Sequence, residues 1–326
     1  MPSSSTDYRK TLRNALDRLF LDPSAHALLA PNTTWDLAWP LAQANGPEAV
    51  IDQFVKPLRE AFEHLHRRDL LFIGGTNRLF EQGQWCAAVT HYVGNFTKPL
   101  WGLEPCNRLV FLRVGELYRI ENDQIVEAKI IFDLPDLMHQ CGRLPLSEIG
   151  TALTWPAPAT QDGLCPSGSY EGDSFDVVQR MMDNLHVYDP KTMGSAGQTG
   201  PDGVWADDMM WYGPSSIGSN FRWEGFVQDH RRPFLHAFPD RKGGNHYCRF
   251  SDQNYAAMSG WPSMTMTFKG DYLGQKANEQ VMTLRVMDFY RIANGKLAEN
   301  WVSLDLGDFF AQLGRDLIAE SNAMGA

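Results

Sequence analysis

The chain has 326 residues, enough for two domains of ordinary size that each bury their own core. Its formal net charge of -10 and its lack of any basic run exclude nucleic acid as an expected partner. The opening MPSSSTDYRK carries no apolar leader core, and no run of roughly 18 apolar residues occurs, so neither export nor membrane spanning is expected.

Taken in chain order, an amphipathic opening helix is predicted over 8–20, and a middle helix holds Pro57-Leu-Arg-Glu-Ala-Phe62. His64 and His66 are read as H-x-H on a helix, where an i, i+2 pair points apart, so no metal site is expected there. Strands follow over 85–96, 107–120 and 124–134, then a short helix that ends at Gly142, a natural residue beyond a helix C-terminus. Pro145, Pro156, Pro158 and Pro166, with neighbouring Gly and Ser, mark a linker. The order then returns. An opening helix is predicted over 175–187, a Gly-rich loop over 190–203, and a middle helix with Pro233-Phe-Leu-His-Ala-Phe238. Strands over 256–268, 279–292 and 296–306 follow, and a helix ending at Gly314.

The recurrence extends to residue identity. Tyr118-Arg119-Ile120 falls on Tyr290-Arg291-Ile292, Asp133-Leu134 on Asp305-Leu306, and Gly142-Arg143 on Gly314-Arg315, without a gap. The same spacing sets Trp39 on Trp211. A repeat this long is a duplicated domain. Helices first and an antiparallel meander after them make each copy α+β. The boundaries are 1–148 for the first domain, 149–172 for the linker and 173–326 for the second domain.

Asn294-Gly295 is a preferred centre for a two-residue hairpin loop, with Ala293 facing Lys296. Carried along both strands, this register sets Asp288 opposite Trp301 and Leu284 opposite Asp305, so both carboxylates share one largely apolar face. The equivalent register in the first copy pairs Glu116 with Lys129, a self-neutralising pair. The second domain is therefore expected to hold the working pocket, and the first to be a degenerate, more structural copy.

The string Tyr290-Arg291-Ile292, Asn294-Gly295-Lys296, Glu299-Asn300-Trp301, Asp305 and Gln312-Leu313-Gly314 resembles the C-terminal signature of the SnoaL-like polyketide cyclases. Asp208-x-x-Trp211 with Pro214, and Phe238-Pro239-Asp240, are similar to that family's early pattern. The resemblance implies two tandem nuclear-transport-factor-2-like domains, each a cone-shaped, curved antiparallel sheet roofed by helices around an apolar pocket. It implies an aldol-type ring closure with no metal or organic cofactor, in which an aspartate at the position of Asp305 is the acid/base. The chain departs from the family where Phe268 and Asn300 stand in the places of two histidines.

The expected site therefore has Asp305 and Asp288 as catalytic residues. Trp301, Trp211, Tyr212, His246, Phe268 and Leu284 are the candidate substrate contacts, against a bland reading of Asp305 as a helix cap and Trp301 as core filling. The nine histidines show no metal-ligand spacing, so no metal is expected. The expected partner is a medium-sized apolar carbonyl or polyketide-like compound, in a cytoplasmic protein built as an intra-chain pseudo-dimer that can also form homodimers. A non-catalytic small-molecule binder, an isomerase, dehydratase or hydrolase using the same pocket, and a protein scaffold are the alternatives. Five widely spread cysteines without a CxxC pair are expected to be reduced and mostly buried.

Overall fold

The computed structural model describes residues 7–22, 24, 26–79, 83–185, 187–195 and 197–325. The MPSSST start, on which part of the no-export expectation rests, lies outside them, as does residue 186 within the expected second opening helix. Among the described residues no helix is long and apolar enough to cross a membrane.

The first domain opens with α1 (Tyr8–Leu21), capped by Asp7, whose side chain accepts from the Arg9 N–H. Strands β1 (Leu29–Leu37) and β2 (Gln43–Asn45) come next. A continuous helical segment follows: α2 (Pro47–Val50), a π-helical turn Ile51–Val55 and α3 (Lys56–Ala61). Long strands β3 (Phe62–Thr76), β4 (Gln84–Phe96), β5 (Arg108–Glu121) and β6 (Gln124–Phe132) then lead into α4 (Leu134–Gln140). The sheet order is β2-β1-β6-β5-β4-β3, antiparallel except where β1 joins β6 in parallel.

The second domain repeats this plan. It has α5 (Ser174–Leu185), β7 (Trp205–Tyr212) and β8 (Ser219–Phe221), then α6 (Arg222–Phe226), a π-turn Val227–Arg231 and α7 (Arg232–Ala237). Strands β9 (Lys242–Gly243), β10 (His246–Asp252), β11 (Tyr255–Thr267), β12 (Val281–Ala293) and β13 (Lys296–Leu304) follow, then α8 (Leu306–Gln312) and α9 (Leu317–Ala323). Its sheet runs β10-β11-β12-β13-β7-β8, with β9 on β11 and a parallel β13–β7 join. The expected α+β architecture is present twice.

Strand β3 was not anticipated, because FEHLHRRDLLFIGGT reads as a charged segment. Within it Arg67 pairs with Asp69 and Glu116, and Asp69 also with Arg13, and His64 and His66 belong to this strand, not to the helix that ends at Ala61. Among the described residues no group of three or more His, Cys, Asp or Glu is placed to hold a metal.

The hairpin register is also corrected. Ala293 faces Lys296 as expected, but a bulge between Arg291 and Ile292 shifts every later pair. Asp288 sits opposite Val302, and Phe289 opposite Trp301. A one-residue slip moves a whole strand to the other face. The side of the sheet carrying Leu284, Val286, Asp288 and Tyr290 therefore also carries Asn300, Val302 and Leu304. Trp301 and Ser303 point the other way. The first copy has the same bulge, so Glu116 faces Ile130 and Lys129 faces Leu117. The predicted Glu116–Lys129 pair does not exist; Lys129 binds Asp36 and, at 3.1 Å, Glu127.

The parallel joins give a further correction. Trp35 lies beside Ala128 on β6, and Trp211 beside Asn300 at the same place on β13. Trp211 is thus the counterpart of Trp35, and the spacing that set it on Trp39 fails in this part of the chain.

The two sheets pack through the faces turned away from their helices. A Cβ on Gly115 would stand 2.5 Å from Ser303 Oγ and 3.2 Å from the Phe289 ring, so glycine is what allows this approach. Two capping aspartates tie the halves together reciprocally. Asp305 accepts from the Trp39 N–H of the first domain at 3.3 Å, and Asp133 accepts from the Ser215 N–H of the second at 2.9 Å.

Candidate functional site

A recess with a cavity volume of about 140 Å³, partly open to solvent, lies between the sheet and the helices of the second domain. Its floor is the shared face of β12 and β13: Leu284, Val286, Asp288 and Tyr290 with Asn300, Val302 and Leu304. Its roof comes from α5, from the α6–π–α7 segment and from the Arg241–Gly243 stretch. The lining is of the kind that small-molecule sites have, mostly apolar with a few polar groups.

The counterpart space in the first domain is filled. Arg67 pairs with Tyr92 on β4, which pairs with Leu112; Gly243 pairs with Met264 on β11, which pairs with Leu284. Arg67 and Gly243 therefore hold the same place. Arg67 grips Glu116 through two bonds, Nη1–Oε1 at 2.9 Å and Nη2–Oε2 at 2.5 Å, and its Nε lies 2.8 Å from Asp69. Tyr92 also donates to Glu116, at 2.6 Å. Phe54, Trp101 and Phe132 stack on one another, and Phe54 meets the Tyr92 ring edge-on. In the second domain glycine replaces the arginine and Met264 replaces Tyr92, and the carboxylate is left facing open space.

That carboxylate is Asp288. Burial pushes its pKa up to about 6, and hydrogen bonds from Asn300 and Tyr290 oppose the rise. Asn300 Nδ2 lies 3.4 Å from Asp288 Oδ1 and also donates to the Phe289 carbonyl at 3.1 Å. No cation within ion-pair distance accompanies it among the described residues. Tyr290 is buried, and burial with the nearby Asp288 holds its hydroxyl well above the ordinary phenol range, so it stays a donor. Its O–H reaches Met258 Sδ at 3.8 Å.

The remaining predicted residues divide by face. Trp211, His246 and Leu284 line the recess. Trp211 stacks on His230 with centroids 4.3 Å apart, and His246 Nε2 meets the Ser263 carbonyl at 2.9 Å. Asp305, Trp301, Tyr212 and Phe268 are not in its wall. Trp301 donates to the Pro156 carbonyl of the linker at 3.0 Å and packs on Tyr212, whose hydroxyl donates to Glu299 at 2.9 Å. Phe268 is core, between Phe238 and Phe309.

Asp305 caps α8 by accepting from the Asp308 N–H at 3.0 Å, and Arg285 lies 3.0 Å from its other oxygen. Burial pushes its pKa up to about 6 as well, with Arg285 pulling it back. Titration therefore does not choose between the two aspartates; access to the recess does. Asp288 has it and Asp305 does not, because the bulge puts β13's odd-numbered residues on the interdomain face.

Sequence reading missed His230, Arg231 and Arg241. The signal was there: with Pro57 set on Pro233, Phe54-Val55 becomes His230-Arg231, a polar pair in an apolar place. Both lie on a π-turn, a distortion frequent at functional sites. Burial, then the nearby Arg241 and Arg231, pushes the His230 pKa down to about 3, so its ring is neutral.

Both halves match the profile described as SnoaL-like polyketide cyclase, over residues 9–141 and 181–313. A comparison with curated proteins returned no match. Among solved structures, a protein described as a SnoaL-like polyketide cyclase from Jannaschia sp. CCS1 is similar at 17% identity, covering 44% of this chain and 99% of its own, with a TM-score of 0.33. TsrD from Streptomyces laurentii aligns at 17% identity over 41% of this chain and 95% of its own, TM-score 0.33. A protein of ketosteroid isomerase-like fold from Catenulispora acidiphila aligns at 16% over 40% and 92%, TM-score 0.31. Two tandem nuclear-transport-factor-2-like α+β domains in one chain, each matching the same profile, make this protein a member of the SnoaL-like polyketide cyclase family.

Proposed function

We propose that the second domain is a cofactor-independent acid/base enzyme that closes a ring in a medium-sized, largely apolar carbonyl compound, with Asp288 as its acid/base. The observation that carries this reading is the unneutralised Asp288 carboxyl on a largely apolar cavity floor, where the first domain sets a Glu116 clamped by arginine. Ionised, Asp288 removes a proton from the carbon beside a carbonyl. The Tyr290 hydroxyl is positioned on the same face to donate to the enolate oxygen. The enolate carbon attacks a second carbonyl of the same substrate, a C–C bond forms, and the new alkoxide takes the proton back from Asp288. A desolvated carboxyl with a pKa near neutrality suits both steps. The pocket wall supplies the folded conformer.

The test is deuterium exchange at the α-carbon of an apolar ketone such as 2-tetralone, followed by NMR. The wild-type protein is expected to accelerate exchange, and Asp288→Asn to lose about 10²–10⁴ of that rate, whereas Asp305→Asn keeps it. Equal exchange by wild type and Asp288→Asn would overturn the assignment.

A further inference from the structure

Three of the four formally charged side chains lining the recess are cations: Arg231, Arg241 and Lys242, against Asp288 alone. Arg231 is only 3% exposed. Its guanidinium is held by neutral oxygens: Nε donates to the Met193 carbonyl at 2.7 Å, and Nη2 to the Leu185 carbonyl at 3.4 Å and to Ser195 Oγ. Among the described residues, no carboxylate lies within ion-pair distance of either arginine. Both flank the Tyr188 ring, Arg231 at 5.6 Å and Arg241 at 5.8 Å from its centroid. Burial first, then Arg241, pushes Arg231 down to about 10. A buried guanidinium beside a half-buried one, without a counter-charge, is costly. Elsewhere in the chain Arg67 is held by Glu116 and Arg113 by Asp133 and Asp136, while Arg249, also buried, donates to the neutral Gln179 Oε1. Beside the pair, the half-buried His230 holds a buried Nδ1 without a hydrogen-bond partner in this same recess.

We propose that Arg231 and Arg241 form an anion subsite at the cavity roof, so that the ligand is an amphiphilic carboxylate whose apolar body fills the recess. Arg231 presents Nη1, since its Nε and Nη2 donate to the chain, and the Arg241 guanidinium can meet a carboxylate through two parallel bonds; the Tyr188 ring lies beside both. This inference deepens the enzyme reading by naming the substrate class, and it rests on that reading only for where the apolar body lies.

Binding of decanoate, 1-decanol and inorganic phosphate is compared by calorimetry on the full chain. Decanoate is expected to bind at least about tenfold more tightly than decanol, and phosphate alone more weakly than decanoate. Arg241→Met should bring decanoate level with decanol and leave decanol unchanged, which also reports that the variant is folded; Arg231→Met should do the same. Equal affinity for acid and alcohol, phosphate binding as tight as decanoate, no binding of any probe, or a preference that survives both substitutions overturns the subsite. If decanoate selectivity holds while 2-tetralone exchange is absent, the ligand class stands and the acid/base reading alone fails.

Discussion

Replacing Asp288 by asparagine should stabilise the protein at alkaline pH, and by an amount the structure allows to be worked out. Burial moves the carboxyl from 3.8 to about 6 in the folded chain. Below the unfolded value both states are protonated and the residue costs nothing. As pH rises through the window from about 4 to about 6, the unfolded chain gives up its proton while the folded one holds it, and stability falls. Above about 6 the full cost is present, about 3 kcal/mol at roughly 1.4 kcal/mol per pKa unit. That is an upper bound, because the carboxyl keeps some access to solvent through the recess. Asparagine can still accept from Asn300 and carries no charge. Urea denaturation of both proteins at pH 8 and pH 4 is the assay, read as the difference between variant and wild type. A gain of about 2–3 kcal/mol at pH 8 that vanishes near pH 4 is expected. An equal loss at both values would refute the reasoning, since Asp288 would then be an ionised structural partner. A site that costs stability in this way is what an acid/base function requires.

Exchange activity should rise with pH through about 6, as the base form of Asp288 appears; a rate that falls over that range would count against it. Arg67→Met should destabilise the first domain by about 3–5 kcal/mol, because Glu116 is left buried and unpaired. Adding Glu116→Leu should recover most of that loss, as denaturation midpoints will report. Gly243→Leu should fold normally, since a Cβ there meets nothing within 4 Å, yet it should abolish ligand binding by filling the recess. Gly244→Ala should instead lower the melting temperature, because its Cβ would stand 2.6 Å from the Pro262 carbonyl oxygen. Asp305→Ala should cost about 1–2 kcal/mol through the lost α8 cap, without loss of exchange activity.

The duplication, the two α+β units and the family were legible in the sequence because they rest on local signals: Asn294-Gly295 at the hairpin, Gly142 and Gly314 past their helices, and the recurring Tyr-Arg-Ile. Asp288 was legible as a carboxylate on an apolar strand face. Which of Asp288 and Asp305 shares that face with an open cavity was not. The turn set the first pair correctly, but one extra residue near Ala298 reversed the facing of everything beyond it. A bulge leaves no reliable mark in a pattern of alternating residues when both faces are apolar, as here, where one faces a cavity and the other a second domain.

The emptiness of the recess is likewise a tertiary fact. It depends on Gly243 standing where Arg67 stands in the first copy, an equivalence visible only through the strand pairs that bring each beside its neighbour. The local chain chemistry of this protein determined its elements, their order and their duplication, because turns, caps and periodicity act over a few residues. Register, burial and the pairing of charges across distant strands determined which carboxylate is left uncompensated, because electrostatic cost is decided by what surrounds a group in space.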